Sequence, residues 1–314
     1  MTGTPALRSA VLLGAGPRGQ RRKQHGRPTL RGWLFIGPVV LGTLLFNVLP
    51  ILPTIGLSFT AWNGLSAPTW VGIDNYERML GGGDPIFVQS LTNTMVYTAG
   101  YVPAGILAGL GLALLVNNKL PGMAVFRTAF FIPYVTSLVA VGMVARWVFG
   151  WQYGVLNWFL GLIGLPEPHW LGEPVSAMGA VIITGVWASV GFNMVILLAG
   201  LQNVPEVLME AAELDGAGPI ARFRYVTVPM LTPTIFFLVI LQTIGSFQVF
   251  ALIYVMTGGG PGTGTYVYIY HLWYETFVAR NMGYGAALAV LLFAVLGLIT
   301  WIQLRLSKRW VFYQ

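Results

Sequence analysis

Asn203-Val204-Pro205-Glu206-Val207-Leu208-Met209-Glu210-Ala211-Ala212-Glu213-Leu214-Asp215-Gly216-Ala217-Gly218-Pro219-Ile220-Ala221-Arg222-Phe223-Arg224-Tyr225-Val226-Thr227-Val228-Pro229 joins two charge-free runs, Pro174 to Pro205 and Tyr225 to Tyr274. Local rules make this stretch two short helices. Pro205 suits a first helical position and Glu206 the positive helix start. Glu210, Ala211, Ala212 and Leu214 are good helix formers. Gly216 suits the left-handed stop, Pro219 opens a second short helix, and Pro229 is expected to end it. Glu206, Glu210 and Glu213 share one side, and Val207, Ala211 and Leu214 share the adjacent one. So short an amphipathic helix is marginal alone, so a docking surface is expected, with Ala211 and Ala212 small enough for close approach. Arg222 and Arg224 add polar or lipid-head contacts.

Working outward, 56% of the 314 residues are apolar and only 9% are charged, against about 25% charge in an ordinary soluble domain. A spanning helix needs roughly 20 apolar residues, and a mid-bilayer Lys or Arg costs about 2.5–3.5 kcal/mol. Charge-free runs therefore mark the spans. They predict an all-α membrane protein with six transmembrane helices near 33–61, 89–116, 126–149, 178–201, 230–256 and 284–304. Thr257-Gly258-Gly259-Gly260-Pro261-Gly262 breaks the fifth run, leaving Tyr266 to Tyr274 as a short interfacial helix. The first apolar run begins at Trp33 and is too long for a secretory signal, so it reads as span one. With no cysteine, disulfides and thiolate metal sites are excluded, and His25, His169 and His271 give no metal-ligand spacing.

The net charge of +7 sits mostly at segment ends, which reads as an orientation signal and not as a nucleic-acid surface. With the N-terminus inside, 14 of the 17 basic residues fall on the cytosolic side. That places both termini and the loop 202–229 in the cytosol. Residues 1–32 form a basic arm rich in Gly, Pro and Arg, expected to lack structure, with anionic lipid heads as a candidate contact.

The order Glu210-Ala211-Ala212, three residues, Gly216, nine residues, Val226, one residue, Val228, Pro229 resembles the EAA motif of ABC-importer permeases. Val stands at 226 and 228 where that family usually has Ile and Leu. Residues 33–314 share further stretches with the maltose-type and glycerol-phosphate-type subgroup. These are Phe131-Ile132-Pro133-Tyr134, Leu198-Ala199-Gly200-Leu201-Gln202, Gly245-Ser246-Phe247-Gln248-Val249-Phe250 and Gly283-Tyr284-Gly285-Ala286-Ala287. The resemblance implies the type I permease fold with a cytosolic coupling helix in an inner-membrane carbohydrate importer. Glu210, Ala211, Ala212, Asp215, Gly216 and Pro229 would then belong to the segment that seats in an ATPase subunit. The implied partners are a second permease subunit, a dimer of ATP-binding subunits and an extracytoplasmic solute-binding protein. ATP and Mg would sit on the ATPase, since this chain lacks the phosphate loop G-x-x-x-x-G-K-[ST] and is not expected to be an enzyme or to bind a cofactor.

Polar groups inside a bilayer face protein or water. Ser189 and Asn193 are four apart in span four, as are Gln242 and Ser246 in span five. Phe192, Gln248 and Tyr134 lie nearby. Hydrogen bonding between helices, worth about 0.6–2 kcal/mol, and lining of a solute path fit this pattern equally. The resemblance favours the path, because the family's sugar contacts align with Tyr134, Ser189, Phe192, Gln242 and Ser246. An ion-driven carrier would carry ionisable groups or broken helices at mid-membrane, and a membrane enzyme a catalytic cluster. The predicted spans contain no His, Asp or Glu.

Overall fold

The computed structural model describes residues 30–117 and 122–312. The arm expected at 1–32 lies, but for its last residues, outside them. The chain divides into two compact units, Met1–Ile51 and Leu52–Gln314. In the first, α1 (Leu30–Thr43) carries Pro38 and runs into a π-helical turn, Leu44–Val48.

The second unit opens with the remainder of α2 (Ile51–Leu57), a two-stranded hairpin, β1 (Thr60–Ala61) and β2 (Thr69–Trp70), and α3 (Asp74–Leu80). The helices α4 (Pro85–Val116), α5 (Met123–Val135), α6 (Leu138–Val148), α7 (Val155–Leu162) and α8 (Pro174–Gln202) follow. The polar hairpin holds α9 (Glu206–Leu214) and α10 (Pro219–Arg222), and the chain ends with α11 (Val228–Phe247), α12 (Ala251–Met256), α13 (Tyr268–Trp273) and α14 (Met282–Ser307). Among the described residues, five uninterrupted stretches are long and apolar enough to cross a membrane: Leu34–Leu57, Pro85–Val116, Pro174–Gln202, Pro219–Phe247 and Met282–Ser307.

The sixth expected span, 126–149, is not one helix: α5 and α6 meet at 97°. Pro133 cannot donate a backbone hydrogen bond, and three residues on, the Thr136 amide and hydroxyl both turn back to the Ile132 carbonyl. Thr136 and Ser137 take extended ψ values of 145° and 126°. Span five departs from expectation in the same way. Its helix ends at Phe247, and α12 starts afresh after Gln248, Val249 and Phe250.

Pro229 does not end a helix. A π-helical turn at Phe223–Thr227 carries the Val228 amide to the Phe223 carbonyl, and Pro229, which has no N–H to leave unpaired, opens α11. Residues 219–247 thus run as one continuous helical stretch.

The α4–α8–α11 interface is a close-packed core of Val102, Ile106, Ala113, Met194, Leu197, Leu231 and Leu238. Gly105 and Gly109 make it possible: a Cβ at 109 would lie 2.5 Å from the Asn193 Cβ. Gly191 lets the backbone of α5 at Phe130 lie directly on α8. A second core joins α6, α8, α12 and α13 through Val141, Ala145, Val181, Leu252, Ile253 and Tyr270. Expected as an interfacial helix, α13 is instead partly core: Tyr268, Tyr270 and His271 are buried.

Candidate functional site

The two helix breaks face one cavity. Tyr134 and Leu138, either side of the α5–α6 bend, line a space of about 420 Å³ together with Gln248, Val249, Phe250 and Ala251 from the α11–α12 break. Tyr97, Tyr101 and Ser189 complete much of the wall. Irregular backbone at membrane depth is tolerated where it is buried in protein or lines a water-filled space. Thr136 and Ser137 at the first break are exposed, and Val249 and Phe250 at the second are half-buried, so both breaks border open space. Tyr134 stacks on Phe192 with ring centroids 4.8 Å apart, Tyr97 stacks on Tyr101 at 5.3 Å, and Phe250 on Tyr254 at 5.4 Å. The wall therefore offers flat aromatic faces beside hydroxyl and amide groups.

The sequence-derived path residues divide. Tyr134, Ser189 and Gln248 line the cavity, with Phe192 stacked behind Tyr134. Asn193, Gln242 and Ser246 are buried between helices. Asn193 donates to the Gly105 carbonyl (3.0 Å), and the Ser246 and Thr98 hydroxyls lie 2.8 Å apart. A Cβ at Gly105 would lie 3.0 Å from the Gln242 side chain. These three tie α4 to α8 and α11. Tyr97, Tyr101 and Phe250 were not among the expected path residues. Their signal, aromatic residues on the same side of predicted spans, is shared with any apolar core.

The hairpin stands at the end of the unit where α4 and α8 finish. Asp215, Gly216 and Ala217 return their amides to the carbonyls of Ala211, Glu213 and Ala212. Gly216 adopts φ +80°, so a glycine ends α9 as expected. Met209 turns inward, its sulfur 3.9 Å from the Thr227 hydroxyl. Ala211 is exposed on the opposite face, with Val207 72% and Leu214 89% exposed. Glu210 and Asp215 are exposed too, and Pro229 is half-buried in the first turn of α11. Arg222 pairs with Glu213 at 2.6 Å and braces the two short helices.

The opposite end of the unit is closed by a cluster that sequence spacing did not reveal. Asp84 caps α4: its Oδ1 accepts the amides of Ile86 (3.0 Å) and Phe87 (3.1 Å). Its Oδ2 accepts the Tyr284 hydroxyl (2.7 Å) and lies 2.9 Å from His271 Nε2. One turn on from His271, Glu275 accepts from Asn281 (2.8 Å) and from Arg78 (3.5 Å), whose guanidinium lies over the Tyr284 ring. Burial pushes the Asp84 carboxyl up, but the Tyr284 hydroxyl and His271 outweigh it and hold the group below the usual carboxylate range. Ligand atoms of Asp84, His271 and Glu275 lie within 4.8 Å of one another. Both Asp84 oxygens are already occupied and Arg78 faces Glu275, so the group acts as a clasp joining α3, α4, α13 and α14.

Residues 102–312 match the family model described as binding-protein-dependent transport system inner membrane component. The chain is 38% identical over 308 residues to a probable ABC transporter permease protein, YesP, of Bacillus subtilis, covering 96% of this chain and 99% of that protein. It is 34% identical over 278 residues to the trehalose/maltose transport system permease protein MalF of Thermococcus litoralis, covering 88% and 93%. Among solved structures, a bacterial ABC transporter involved in the import of the acidic polysaccharide alginate contains a chain with TM-score 0.75 and 23% identity, covering 89% of this chain and 96% of that one. That likeness extends the type I permease fold over the spans described above.

Proposed function

The chain belongs to the family of binding-protein-dependent transport system inner membrane components, and from that premise we propose that it is the permease subunit of a carbohydrate importer, forming half of a pore that a separate ATPase drives through the hairpin. The observation that carries the reading is the face of α9. A nine-residue helix that no buried residue anchors presents Val207, Ala211 and Leu214 outward, and Ile220 beside them is 83% exposed. Such a surface is matched to a groove on a partner. Glu210, Ala211, Ala212, Asp215 and Gly216 shape that surface, and Pro229 lies in the first turn of α11, which continues the second hairpin helix. ATP and Mg are held by the ATPase. The hairpin faces the cytosol together with both termini, in keeping with the distribution of basic residues.

The cavity between the two helix breaks is this subunit's share of the solute path. Aromatic faces beside hydroxyls and an amide suit a sugar, which offers C–H faces and hydroxyl edges. Tyr134, Ser189 and Gln248 are its contact residues, with Phe192 backing the Tyr134 ring; Asn193, Gln242 and Ser246 support the helices behind it. A second permease subunit faces this wall, and a solute-binding protein delivers at the clasp end. Co-purification tests the assembly: a P-loop ATPase and a second permease should accompany the tagged chain. Glu210→Lys should leave membrane insertion intact and lower uptake at least tenfold. Full uptake by a stably inserted Glu210→Lys variant sinks the coupling role. Unchanged sugar preference in a Tyr134→Ala, Gln248→Ala double variant removes the cavity from the path.

A further inference from the structure

The chain from Trp147 to Pro166 holds no charged residue, and it contains α7. Eight residues span about 12 Å, against about 30 Å of hydrocarbon, so α7 is too short to cross a bilayer. Its polarity is inverted. Asn157, the only hydrogen-bonding side chain of α7 besides the Trp158 indole, is buried. Its Nδ2 donates to the Trp151 and Pro168 carbonyls (both 3.1 Å), and its Oδ1 accepts from the Trp170 indole (2.7 Å). Leu156 beside it packs on the core that joins α6, α8, α12 and α13. Outward go Trp158, Phe159 and Leu162, followed by Ile163, each more than half exposed. A helix bathed in water turns its polar side out. This one turns its amide in and its aromatic and aliphatic side chains out.

We propose that α7 lies flat at the boundary between lipid headgroups and acyl chains, its outward face in phospholipid. Three observations select lipid over water or a protein partner. Trp147 of α6 borders one groove with Trp158 and Leu162 of α7, so the face continues the apolar surface of α6, where Met143 and Val144 are exposed. With α5, α6 has the length and composition of a span. Trp and Tyr belong at the membrane–water interface, and Tyr153 joins the two tryptophans at that groove, with Gln152 and Glu167 exposed as its polar edge. A subunit interface carries about one hydrogen bond per 100–200 Å², yet Trp158, Phe159, Leu162 and Ile163 offer one side-chain donor among them, the indole. Anchored in this way, α7 holds the end of α6 at headgroup level and fixes the depth of the bent pair. The inference rests on the membrane-spanning fold and on neither the solute nor the ATPase.

The chain has no cysteine, so a single spin label can be placed without removing a native thiol. Leu162→Cys, Ile163→Cys and Glu167→Cys each carry a nitroxide on the full chain in vesicles of phosphatidylethanolamine and phosphatidylglycerol. Oxygen partitions into hydrocarbon and a nickel chelate into water, so the ratio of their collision rates with the label reports its surroundings. That ratio at 162 and 163 should exceed the ratio at 167 by about threefold or more. If Leu162→Cys inserts poorly, Phe159→Cys on the same face replaces it. Each measurement is repeated after reconstitution with the subunits that co-purify with the chain. A high ratio that survives assembly establishes lipid contact. A ratio at 162 and 163 no higher than at 167 places the face in water, and oxygen access lost on assembly places a protein subunit on it; either result overturns the proposal. If no subunit co-purifies, the assembly proposed above fails, and the measurement on the chain alone decides the lipid contact.

Discussion

Asp84 and Glu213 are both carboxylates paired with a basic side chain, and they sit at opposite ends of the same unit. Asp84 is 5% exposed, caps a helix of 32 residues and holds His271 and Tyr284 as well. The Glu213 side chain is 68% exposed and has one partner, Arg222. At the clasp end, four helices converge on two carboxylates removed from water, Asp84 and Glu275, each with several partners. At the hairpin end, two short helices are joined by the backbone turn at Asp215–Ala217 and one ion pair, with the apolar face of α9 outward. Charge fixes structure where water is excluded and partners are many. Where water competes, it contributes little and leaves the segment free to follow a partner. Under the proposed function, one end holds the bundle together and the other receives motion.

Removing the clasp carboxylate should break this comparison most visibly. Asp84→Ala leaves the Ile86 amide, the Tyr284 hydroxyl and His271 without their acceptor, and the Phe87 amide with only its 3.3 Å bond to the carbonyl of residue 84. Losing one member of a buried pair costs about 3–5 kcal/mol. The purified variant should show a large fall in unfolding temperature. Asp84→Asn, which still offers a side-chain oxygen to the helix start, should lie between it and the parent. An unchanged unfolding temperature in Asp84→Ala would mean the clasp is ornamental.

Acid titration separates the ends next. The folded Asp84 carboxyl is held below its ordinary range, so its stabilisation is fully present above the unfolded value near 4. It is lost as pH falls through the folded value. Unfolding temperature should drop along that limb, and Asp84→Asn should flatten the drop. Hairpin variants should follow the parent curve; a hairpin variant that altered the acid limb would couple the two ends.

Gly216→Val carries the contrast to the hairpin. A Cβ at 216 meets nothing within 4 Å, so the whole cost is the φ of +80°, about 1–2 kcal/mol for an L-residue and more for a branched one. Because the segment is exposed, the unfolding temperature should change little, whereas uptake should fall at least tenfold through misplacement of α9. Gly216→Asn, tolerated in the left-handed region, should retain most uptake. Full uptake with Val would show that the turn has no mechanical role.

Much of the fold was legible because it rests on local chemistry. Gly216 marks a helix end by a rule that needs no tertiary information, and the charge-free runs mark the spans, although α4 and α8 start at Pro85 and Pro174, four residues ahead of the expected 89 and 178. The breaks were not legible. Pro133 is a common enough residue in a membrane helix, and what ends α5 is Thr136 turning back on Ile132 with Thr136 and Ser137 in extended conformation. The clasp was hidden for another reason: Asp84 and His271 are 187 positions apart, and each reads alone as an ordinary loop-end polar residue. The site divides on the same line. The hairpin is contiguous, so its pattern could be read, whereas the cavity wall comes from four separate stretches, so only its polar members stood out. Three of those, Asn193, Gln242 and Ser246, face neighbouring helices instead.

The smallest effect is the one that tests the comparison most finely. Glu213→Gln removes the charge from the exposed pair and keeps an acceptor within reach of Arg222. An exposed ion pair contributes about 0–1 kcal/mol and is screened by salt. The variant should therefore unfold within a degree or two of the parent, and the difference should vanish at high ionic strength. If the hairpin is held only by its backbone turn, uptake should persist. Suppose instead that Glu213→Gln destabilises the chain as strongly as Asp84→Asn does, at every salt concentration. The hairpin would then be a second clasp, its exposure would not mark a handle, and the division between a fixed end and a moving end would fail.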